Sequence, residues 1–205
     1  MGKMISDPEA YFREFIPSRD DVLKAMEKEA QMEGIPIVGP VVGELLYILA
    51  RAMDAHLILE LGTAIGYSSI FLARACKETL GRLITVERDS KMAARAEKNF
   101  EKAGVIDVTE IAVGDAIEKM ASLDGPFDLI FMDVDKEYYD ASLSHCGRLL
   151  RIGGLLVTDN VGFRSSEAFN REIFERPEWR VIKLFSFLPE HSPERDALSL
   201  ALRVK

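Results

Sequence analysis

Cysteine is scarce in this sequence. Its two cysteines, Cys76 and Cys146, lie in segments with helical spacing and do not form a CxxC pair. Zinc knuckles and disulfide frameworks need several cysteines at short, regular spacings. The sequence therefore excludes both, and we expect two reduced, buried thiols.

Long hydrophobic runs are also missing. Asp7, Glu9, Arg13 and Glu14 stand where a signal peptide would need an uninterrupted apolar stretch. No later apolar run approaches the length of about 20 residues that a membrane-spanning helix needs. We therefore expect no secretory signal and no membrane anchor, and a location in the cytoplasm.

Basic residues are fewer than is typical of a protein that binds nucleic acid. The chain has 26 Lys and Arg against 34 Asp and Glu, which gives a formal net charge of -8. Nucleic-acid-binding proteins obtain much of their affinity from clustered Lys and Arg. This balance argues against a nucleic-acid partner and favours a small-molecule ligand.

Nothing in the sequence divides the chain into parts. We find no repeat, no low-complexity tract and no Gly- or Ser-rich linker, and one hydrophobic core can serve 205 residues. We predict a single domain over residues 1–205, with an N-terminal extension over residues 1–40.

The extension contains a helix near Asp20 to Gln31 and then a passage, Gly34 to Pro40, rich in glycine and proline. We expect this passage to be a loop because Pro36 and Pro40 interrupt helical hydrogen bonding. Such a loop could act as a lid over a site.

Beyond the extension, an amphipathic helix is followed by short apolar runs that alternate with helical stretches. The predicted helix carries Val42, Leu45, Leu46, Leu49 and Met53, and the predicted strands lie near Leu57 to Leu61, Arg82 to Val86, Val108 to Ala112, Asp128 to Met132 and Leu155 to Thr158. This alternation predicts a doubly wound α/β fold with a mostly parallel sheet covered by helices on both faces. Two further strand-like runs, Trp179 to Phe187 and Ala197 to Val204, predict a terminal hairpin with one antiparallel strand.

The turn after the first predicted strand is the first candidate for ligand binding. Gly62 and Gly66 allow the backbone to approach a ligand closely, but Ala64 stands where a GxGxxG motif has its second glycine. A dinucleotide pyrophosphate is therefore disfavoured, and a smaller nucleoside ligand fits better.

Glu87, at the end of the second strand, could accept hydrogen bonds from both hydroxyls of a ribose, although a surface strand may also end in Glu. Asp115, after the third strand, could bind an adenine edge or cap a helix.

Oxygen-bearing side chains follow the fourth and fifth predicted strands. Asp133, Asp159 and Asn160 would supply three hard oxygen ligands at neighbouring strand ends, a set that suits Mg²⁺, Mn²⁺ or Ca²⁺. Alternatively, Asp159 caps the following helix and Asp133 accepts hydrogen bonds from loop amides. Asp135 could be a third ligand or a surface carboxylate.

Lys136 follows Asp133 by three residues. A nearby cation and burial would favour its neutral amine, which could act as a general base, although an ordinary surface lysine is the plain alternative. His56, His145 and His191 pair with no Ser or Cys nucleophile, so a hydrolytic triad has little support. We expect these histidines to be structural or solvent-facing.

Four segments together resemble the metal-dependent catechol and caffeoyl-CoA O-methyltransferases, over roughly Val38 to the C-terminus. They are LELGTAIGYSSIFLA, ITVERD, FDLIFMDVDKEYY and GGLLVTDNV. The DVDK segment together with the DN pair is more specific than the Gly turn. The resemblance implies a seven-stranded Rossmann-like sheet with an antiparallel last strand, S-adenosylmethionine (SAM) as the methyl donor, and often a homodimer.

The resemblance also implies a role for each candidate site residue. Gly62, Gly66 and Ser68 would line the methionine part of SAM, Glu87 would hold the ribose, and Asp115 and Ala116 would flank the adenine. Asp133, Asp159 and Asn160 would bind the metal, Mg²⁺ first and Mn²⁺ or Ca²⁺ as alternatives. Lys136 would take the proton from the substrate hydroxyl, and we count Asp133 among the catalytic and cofactor-contacting residues as well.

The sequence departs from the family pattern at two places. Ala64 stands where relatives often carry a larger side chain beside the cofactor, and the terminal loop, Leu188 to Asp196, lacks the shorter glycine-containing turn.

From the candidate residues and the resemblance together, we predict a metal-dependent O-methyltransferase acting on a catechol-like or other small phenolic hydroxyl. The alternatives are a SAM-dependent enzyme acting on another small nucleophile, a binding protein that has lost the chemistry, or a nicotinamide-dependent oxidoreductase.

Overall fold

A computed structural model describes residues 2–205. The helices are α1 (Pro8–Arg13), α2 (Asp21–Glu33), α3 (Gly39–Ala52), α4 (Tyr67–Thr79), α5 (Ser90–Ala103), α6 (Ala116–Ser122), α7 (Tyr139–Leu149) and α8 (Glu167–Glu175). The strands are β1 (Leu57–Leu61), β2 (Arg82–Glu87), β3 (Thr109–Val113), β4 (Phe127–Met132), β5 (Leu150–Thr158), β6 (Trp179–Phe187) and β7 (Arg195–Arg203).

The seven strands form one sheet in the order β3-β2-β1-β4-β5-β7-β6. The first five strands are parallel, and β7 pairs antiparallel with both β5 and β6. The predicted doubly wound sheet and terminal hairpin are thereby confirmed. The chain moves outward in opposite directions from β1 and β4, and ligands of open α/β sheets bind beyond the strand ends at such a reversal.

Helices cover both faces of the sheet because successive strand side chains point to opposite sides. On β1, Ile58 belongs to a buried cluster with α2 to α5, whereas the next residue, Leu59, belongs to a second cluster with α6 to α8. Both faces are therefore apolar, as a sheet covered on both sides requires. Cys76 and Cys146 are buried, unpaired members of these two clusters, as expected.

Two boundaries differ from the sequence expectation. Pro40 belongs to the first turn of α3 rather than to a loop, because a proline in that turn removes no helical hydrogen bond. Strand β5 begins at Leu150 instead of near Leu155, and an irregularity there lets Phe127 pair with Leu150 while Leu129 pairs with Leu155. Across residues 2–205, no helix is both long and apolar enough to span a membrane.

Candidate active site

A cavity of about 700 Å³ opens beyond the carboxyl ends of β1, β2, β4 and β5. Its volume lies within the range of roughly 300–1,000 Å³ that is usual for small-molecule sites. The residues that line it are Pro36, Ile37, Gly62, Ala64, Val86, Glu87, Arg88, Gly114, Asp115, Ala116, Asp133, Val134, Asp135, Lys136, Tyr138, Asp159, Asn160, Phe163, Ser192 and Pro193. Eight of the ten residues to which the sequence analysis gave a role are in this set; Gly66 and Ser68 are the other two.

The turn after β1 is tightly constrained. Gly62 has a φ of 98°, and a Cβ added there would lie 2.1 Å from the carbonyl oxygen of Asp133. Ala64 also has a positive φ, 47°, and Gly66, with a φ of 89°, begins α4. Only a residue without a side chain fits at Gly62. The backbone of this turn therefore lies directly against the loop that follows β4.

Glu87 is held by two backbone amides at the cavity wall. Its Oε2 accepts a hydrogen bond from the Ala64 amide at 2.8 Å, and its Oε1 accepts one from the Asp89 amide at 2.9 Å. Each carboxylate oxygen can accept a further hydrogen bond. Glu87 is thus a fixed acceptor at the cavity, which supports its predicted role toward ribose hydroxyls.

Asp115 takes the capping geometry that the sequence allowed. Its Oδ1 accepts hydrogen bonds from the amides of Ile117 and Glu118 at 2.9 and 3.1 Å. Asp115 and Ala116 also line the cavity. Capping and contact with a ligand are therefore compatible here, and the adenine role stays a prediction.

Ser68 points away from the cavity toward Glu60. The Ser68 hydroxyl donates to Glu60 Oε1 at 2.6 Å, and Ser69 and Thr85 donate to Oε2 of the same carboxylate. Burial raises the pKa of Glu60 to about 7, although these hydroxyls act in the opposite direction. The structure thus places Ser68 in a buried polar cluster beneath the glycine turn, and a direct contact of its hydroxyl with SAM stays a prediction.

The proposed metal-binding side chains all line the cavity. Asp133 follows β4, and Asp159 and Asn160 follow β5, in agreement with the predicted neighbouring strand ends. Asn160 has a φ of 51°, and its amide nitrogen Nδ2 donates to Asp196 Oδ2 at 2.8 Å. Because the amide nitrogen is hydrogen-bonded to Asp196, the amide oxygen is available as a ligand for a cation.

The Asp133 carboxylate lacks a polar partner of its own. Within residues 2–205 the structure gives it no hydrogen bond, and the nearest cationic atom is Lys136 Nζ, 4.0 Å from Oδ1. Burial and the neighbouring Asp159 carboxylate raise the pKa of Asp133 to about 7. The alternative in which loop amides satisfy Asp133 is therefore wrong, and the pair of carboxylates is one that a cation would stabilise.

The side chains of Lys136 and Asp135, in the loop after β4, have different surroundings. Lys136 Nζ lies 5.5 Å from the centre of the Phe163 ring and faces the cavity, so it is not a free surface lysine. Asp135 instead pairs with Arg88 at 2.9 Å, and its side chain is 53% exposed. This geometry favours the surface-carboxylate interpretation of Asp135.

His191, expected to be structural or solvent-facing, lies against one of the proposed cation ligands. Its imidazole is buried, with Nε2 at 2.8 Å from Oδ2 and 3.1 Å from Oδ1 of Asp159, so a solvent-facing role is wrong. Burial lowers the pKa of His191, but the hydrogen bond and charge of Asp159 outweigh it, and the net shift is upward. The Asp159 carboxylate therefore faces this ring and the Asn160 amide, at 2.8 Å, and does not cap a helix.

The N-terminal extension is tied to the terminal loop that carries His191. Arg13 forms a bidentate pair with Glu194, Arg19 pairs with Glu190 at 3.0 Å, and Arg195 pairs with Glu9. Pro36 and Ile37 of the same extension line the cavity. This arrangement is consistent with the predicted lid, which stays a prediction.

The residues present fit the two groups that the resemblance implies. For a divalent cation, Asp133 offers an unpartnered carboxylate and Asn160 an oriented amide oxygen beside Asp159. For a nucleoside methyl donor, the strained glycine turn and the fixed Glu87 carboxylate lie on one side of the same cavity. Fold and site together define an α/β methyltransferase.

The comparisons with known proteins identify the family. An O-methyltransferase family model matches residues 18–187, so the chain belongs to the O-methyltransferase family. It is 42% identical over 157 residues to a catechol O-methyltransferase of Niastella koreensis, covering 74% of this chain and 71% of that protein. This membership confirms the predicted enzyme class and makes the oxidoreductase alternative wrong.

Solved structures agree with this assignment. The O-methyltransferase TomG of Streptomyces achromogenes, solved in complex with SAM, superposes with a TM-score of 0.86 at 29% identity over 96% of both chains. An O-methyltransferase of Bacillus cereus, solved in complex with SAH, gives a TM-score of 0.84 at 27% identity over 95% of this chain and 96% of that one. The predicted Rossmann-like fold is thereby confirmed.

Proposed function

We propose that this enzyme transfers the methyl group of SAM to a hydroxyl of a catechol-like or other small phenolic substrate, with the help of a divalent cation. The observation that carries the proposal is the convergence of Asp133, Asp159, Asn160 and Lys136 on the cavity that the glycine turn and Glu87 also line. A methyl-donor site, a cation site and a base would therefore share one volume.

The residues on the β1 and β2 side would bind the methyl donor. Glu87 would accept hydrogen bonds from ribose hydroxyls, and Gly62 would allow the backbone to approach the methionine part. Asp115 and Ala116 line the wall where the adenine would lie. The neighbours solved with SAM and SAH support this half of the proposal.

On the other side, Asp133, Asp159 and the Asn160 amide oxygen would hold the cation. When bound, a divalent cation lowers the pKa of a hydroxyl that it contacts. The two carboxylates and the amide oxygen suit Mg²⁺, Mn²⁺ or Ca²⁺ by donor chemistry. The Asp133 carboxylate, partly buried near Asp159 and without a hydrogen bond, is the feature that most favours an ion here.

Lys136 would accept the proton of the substrate hydroxyl at Nζ. The substrate oxygen then forms a bond to the methyl carbon as the carbon–sulfur bond breaks, which leaves S-adenosylhomocysteine. Transfer is a single displacement, so the main task of the surrounding residues is to hold the oxygen and methyl carbon in line and exclude water. Phe163 and Ile37 supply apolar walls that would do both.

The cavity lining and one relative support the proposed acceptor class. Pro36, Ile37, Tyr138 and Phe163 form an apolar side that an aromatic ring can contact. The relative from Niastella koreensis is a catechol O-methyltransferase. Another small nucleophile remains the second candidate, and a homodimer remains a prediction.

A methyl-transfer assay on a panel of catechols, with and without EDTA, tests the proposal. We expect O-methylated product that EDTA abolishes and added Mg²⁺ or Mn²⁺ restores. Lys136→Ala should lower turnover by about 100-fold or more, the usual contribution of a general base, with SAM affinity nearly unchanged. Lys98→Ala on the exposed face of α5 is the matched control. Product formation that is indifferent to EDTA would contradict the metal-dependent mechanism.

A further inference from the structure

His191 lies at the proposed cation site but has no part in the mechanism above. It belongs to the loop between β6 and β7, and its side chain is only 1% exposed. Its Nε2 approaches both oxygens of the Asp159 carboxylate, at 2.8 and 3.1 Å. A residue 32 positions away along the chain thus reaches a proposed cation ligand.

The opposite side of the ring fixes its tautomer. His191 Nδ1 lies 2.7 Å from the carbonyl oxygen of Pro193, which can only accept a hydrogen bond. Nδ1 therefore carries a proton, and Nε2 is the nitrogen directed at Asp159. A metal-binding histidine usually donates its other ring N–H to a backbone carbonyl or a carboxylate, as Nδ1 does here.

The side chains around His191 include a second buried carboxylate, so the ring faces more than the one acid with which it pairs. Ligand atoms of Asp159, His191 and Asp196 all lie within 4.8 Å of one another, and all three residues are buried. The 2.8 and 3.1 Å separations of nitrogen and oxygen match the roughly 3 Å between adjacent ligands whose bonds to a metal are about 2.1 Å long. The cation nearest to Asp133, Lys136 Nζ, lies 4.0 Å away, so the two neighbouring carboxylates have little positive charge close to them.

We propose that His191 Nε2 is a ligand of the divalent cation, together with Asp159, Asp133 and the Asn160 amide oxygen. The proton that Nε2 donates to Asp159 in the metal-free protein would be released to solvent when the ion binds, as for other metal-binding histidines. An all-oxygen set suits Mg²⁺, Ca²⁺ or Mn²⁺, whereas imidazole nitrogen suits Fe²⁺, Ni²⁺ or Zn²⁺, and Mn²⁺ begins the transition-metal series in which affinity for nitrogen ligands rises. His191 therefore shifts the preference of the site from the hard alkaline-earth ions toward transition-metal ions. This inference rests on the proposed metal dependence of the enzyme.

Asp196 has a separate task in this arrangement. Its Oδ2 accepts from Asn160 Nδ2, and its Oδ1 accepts from the amides of Gly162 and Ala197 at 3.1 and 2.7 Å. Its hydrogen-bonding capacity is largely used by these groups, so we assign it the positioning of Asn160 rather than direct binding of the ion.

Pulsed electron paramagnetic resonance of the full chain, stripped with EDTA and loaded with one equivalent of Mn²⁺, tests the nitrogen ligand directly. We expect electron spin echo modulation from a coordinated ¹⁴N in the unchanged protein. The modulation should vanish in His191→Gln and persist in His56→Ala, whose side chain is 59% exposed. Bound Mn²⁺ without nitrogen modulation in the unchanged protein would overturn the inference, even if His191→Gln failed to fold.

Calorimetric titration with Mn²⁺ and with Mg²⁺ supplies the second measurement. Loss of the imidazole should weaken Mn²⁺ binding by at least the 10–100-fold that is typical even for residues supporting a metal ligand, and should weaken Mg²⁺ binding far less. Equal losses for the two ions, or tighter Mn²⁺ binding by His191→Gln, would show that His191 serves only as a counter-ion. Failure of the unchanged protein to bind either ion would instead overturn the metal dependence in the proposed function, and this inference with it.

Discussion

Replacing Asp133 with Asn should stabilise the metal-free protein, and the gain should grow with pH. The folded-state pKa of Asp133 is raised from 3.8 to about 7 by burial and by Asp159, so the folded protein holds this proton more tightly than the unfolded chain does. The carboxyl group therefore favours folding most at low pH, and this contribution disappears as the pH rises from 3.8 through 7. Asn keeps the shape of the side chain and has no charge to lose.

The size of the effect follows from the pKa difference. About three pKa units correspond to about 4 kcal/mol when the ionisation is complete, and the part that develops between about pH 5 and about pH 8 is roughly 2.6 kcal/mol. The Asp133 side chain is 26% exposed to the cavity, so water there screens part of this cost. Between these two pH values, we expect the stability advantage of Asp133→Asn over the unchanged protein to grow by about 1–2 kcal/mol. This corresponds to about 2–8 °C in melting temperature for a chain of this size.

Thermal unfolding in EDTA at the two pH values, followed by circular dichroism, measures this difference. Asp135→Asn is the matched control, because the same chemical change two residues away removes an exposed carboxylate. Added Mn²⁺ should raise the melting temperature of the unchanged protein and leave that of Asp133→Asn almost unaffected. A difference between the unchanged protein and Asp133→Asn that is the same at both pH values would refute the assigned burial of this charge.

Three further substitutions have defined outcomes. Gly62→Ala should abolish detectable SAM binding by calorimetry and lower the melting temperature, because the new Cβ would lie 2.1 Å from the Asp133 carbonyl oxygen; unchanged affinity would contradict the tight turn. Lys183→Met should raise the melting temperature at pH 7 and less so at pH 9, since burial lowers the pKa of this lysine to about 8 and the cost of its charge disappears as the pH rises above that value. Equal gains at the two pH values would argue against a buried ammonium group. Asp196→Ala should weaken Mn²⁺ binding about 10–100-fold in a calorimetric titration by releasing the Asn160 amide, and undiminished binding would remove its positioning role.

The strand ends were the part of the site that the sequence could predict. Asp133, Asp159 and Asn160 follow apolar runs, and the carboxyl ends of adjacent parallel strands must lie at one edge of the sheet. Glu87 was predictable for the same reason. Boundaries were less accurate where glycine intervened, because Gly153 and Gly154 resemble a turn in sequence although they lie within β5.

His191 could not be predicted, because its position depends on long-range pairing. Strand β7 inserts between β5 and β6, and this order brings the loop that precedes β7 over the end of β5. The sequence shows a hairpin but not which of its two strands pairs with β5. Ser68 illustrates a second limit, since local spacing cannot decide whether a hydroxyl faces the cavity or the buried Glu60 carboxylate.

The two backbone amides that hold Glu87 bear on the thermodynamics of ligand binding. The carboxylate is anchored from Ala64 on one side and Asp89 on the other, so its rotamer is set before any nucleoside arrives. Freezing such a side chain costs on the order of 1 kcal/mol, and here that entropy is lost during folding. A ribose bound at Glu87, as proposed, would meet a preorganised acceptor, and its binding free energy would not include the cost of ordering that side chain.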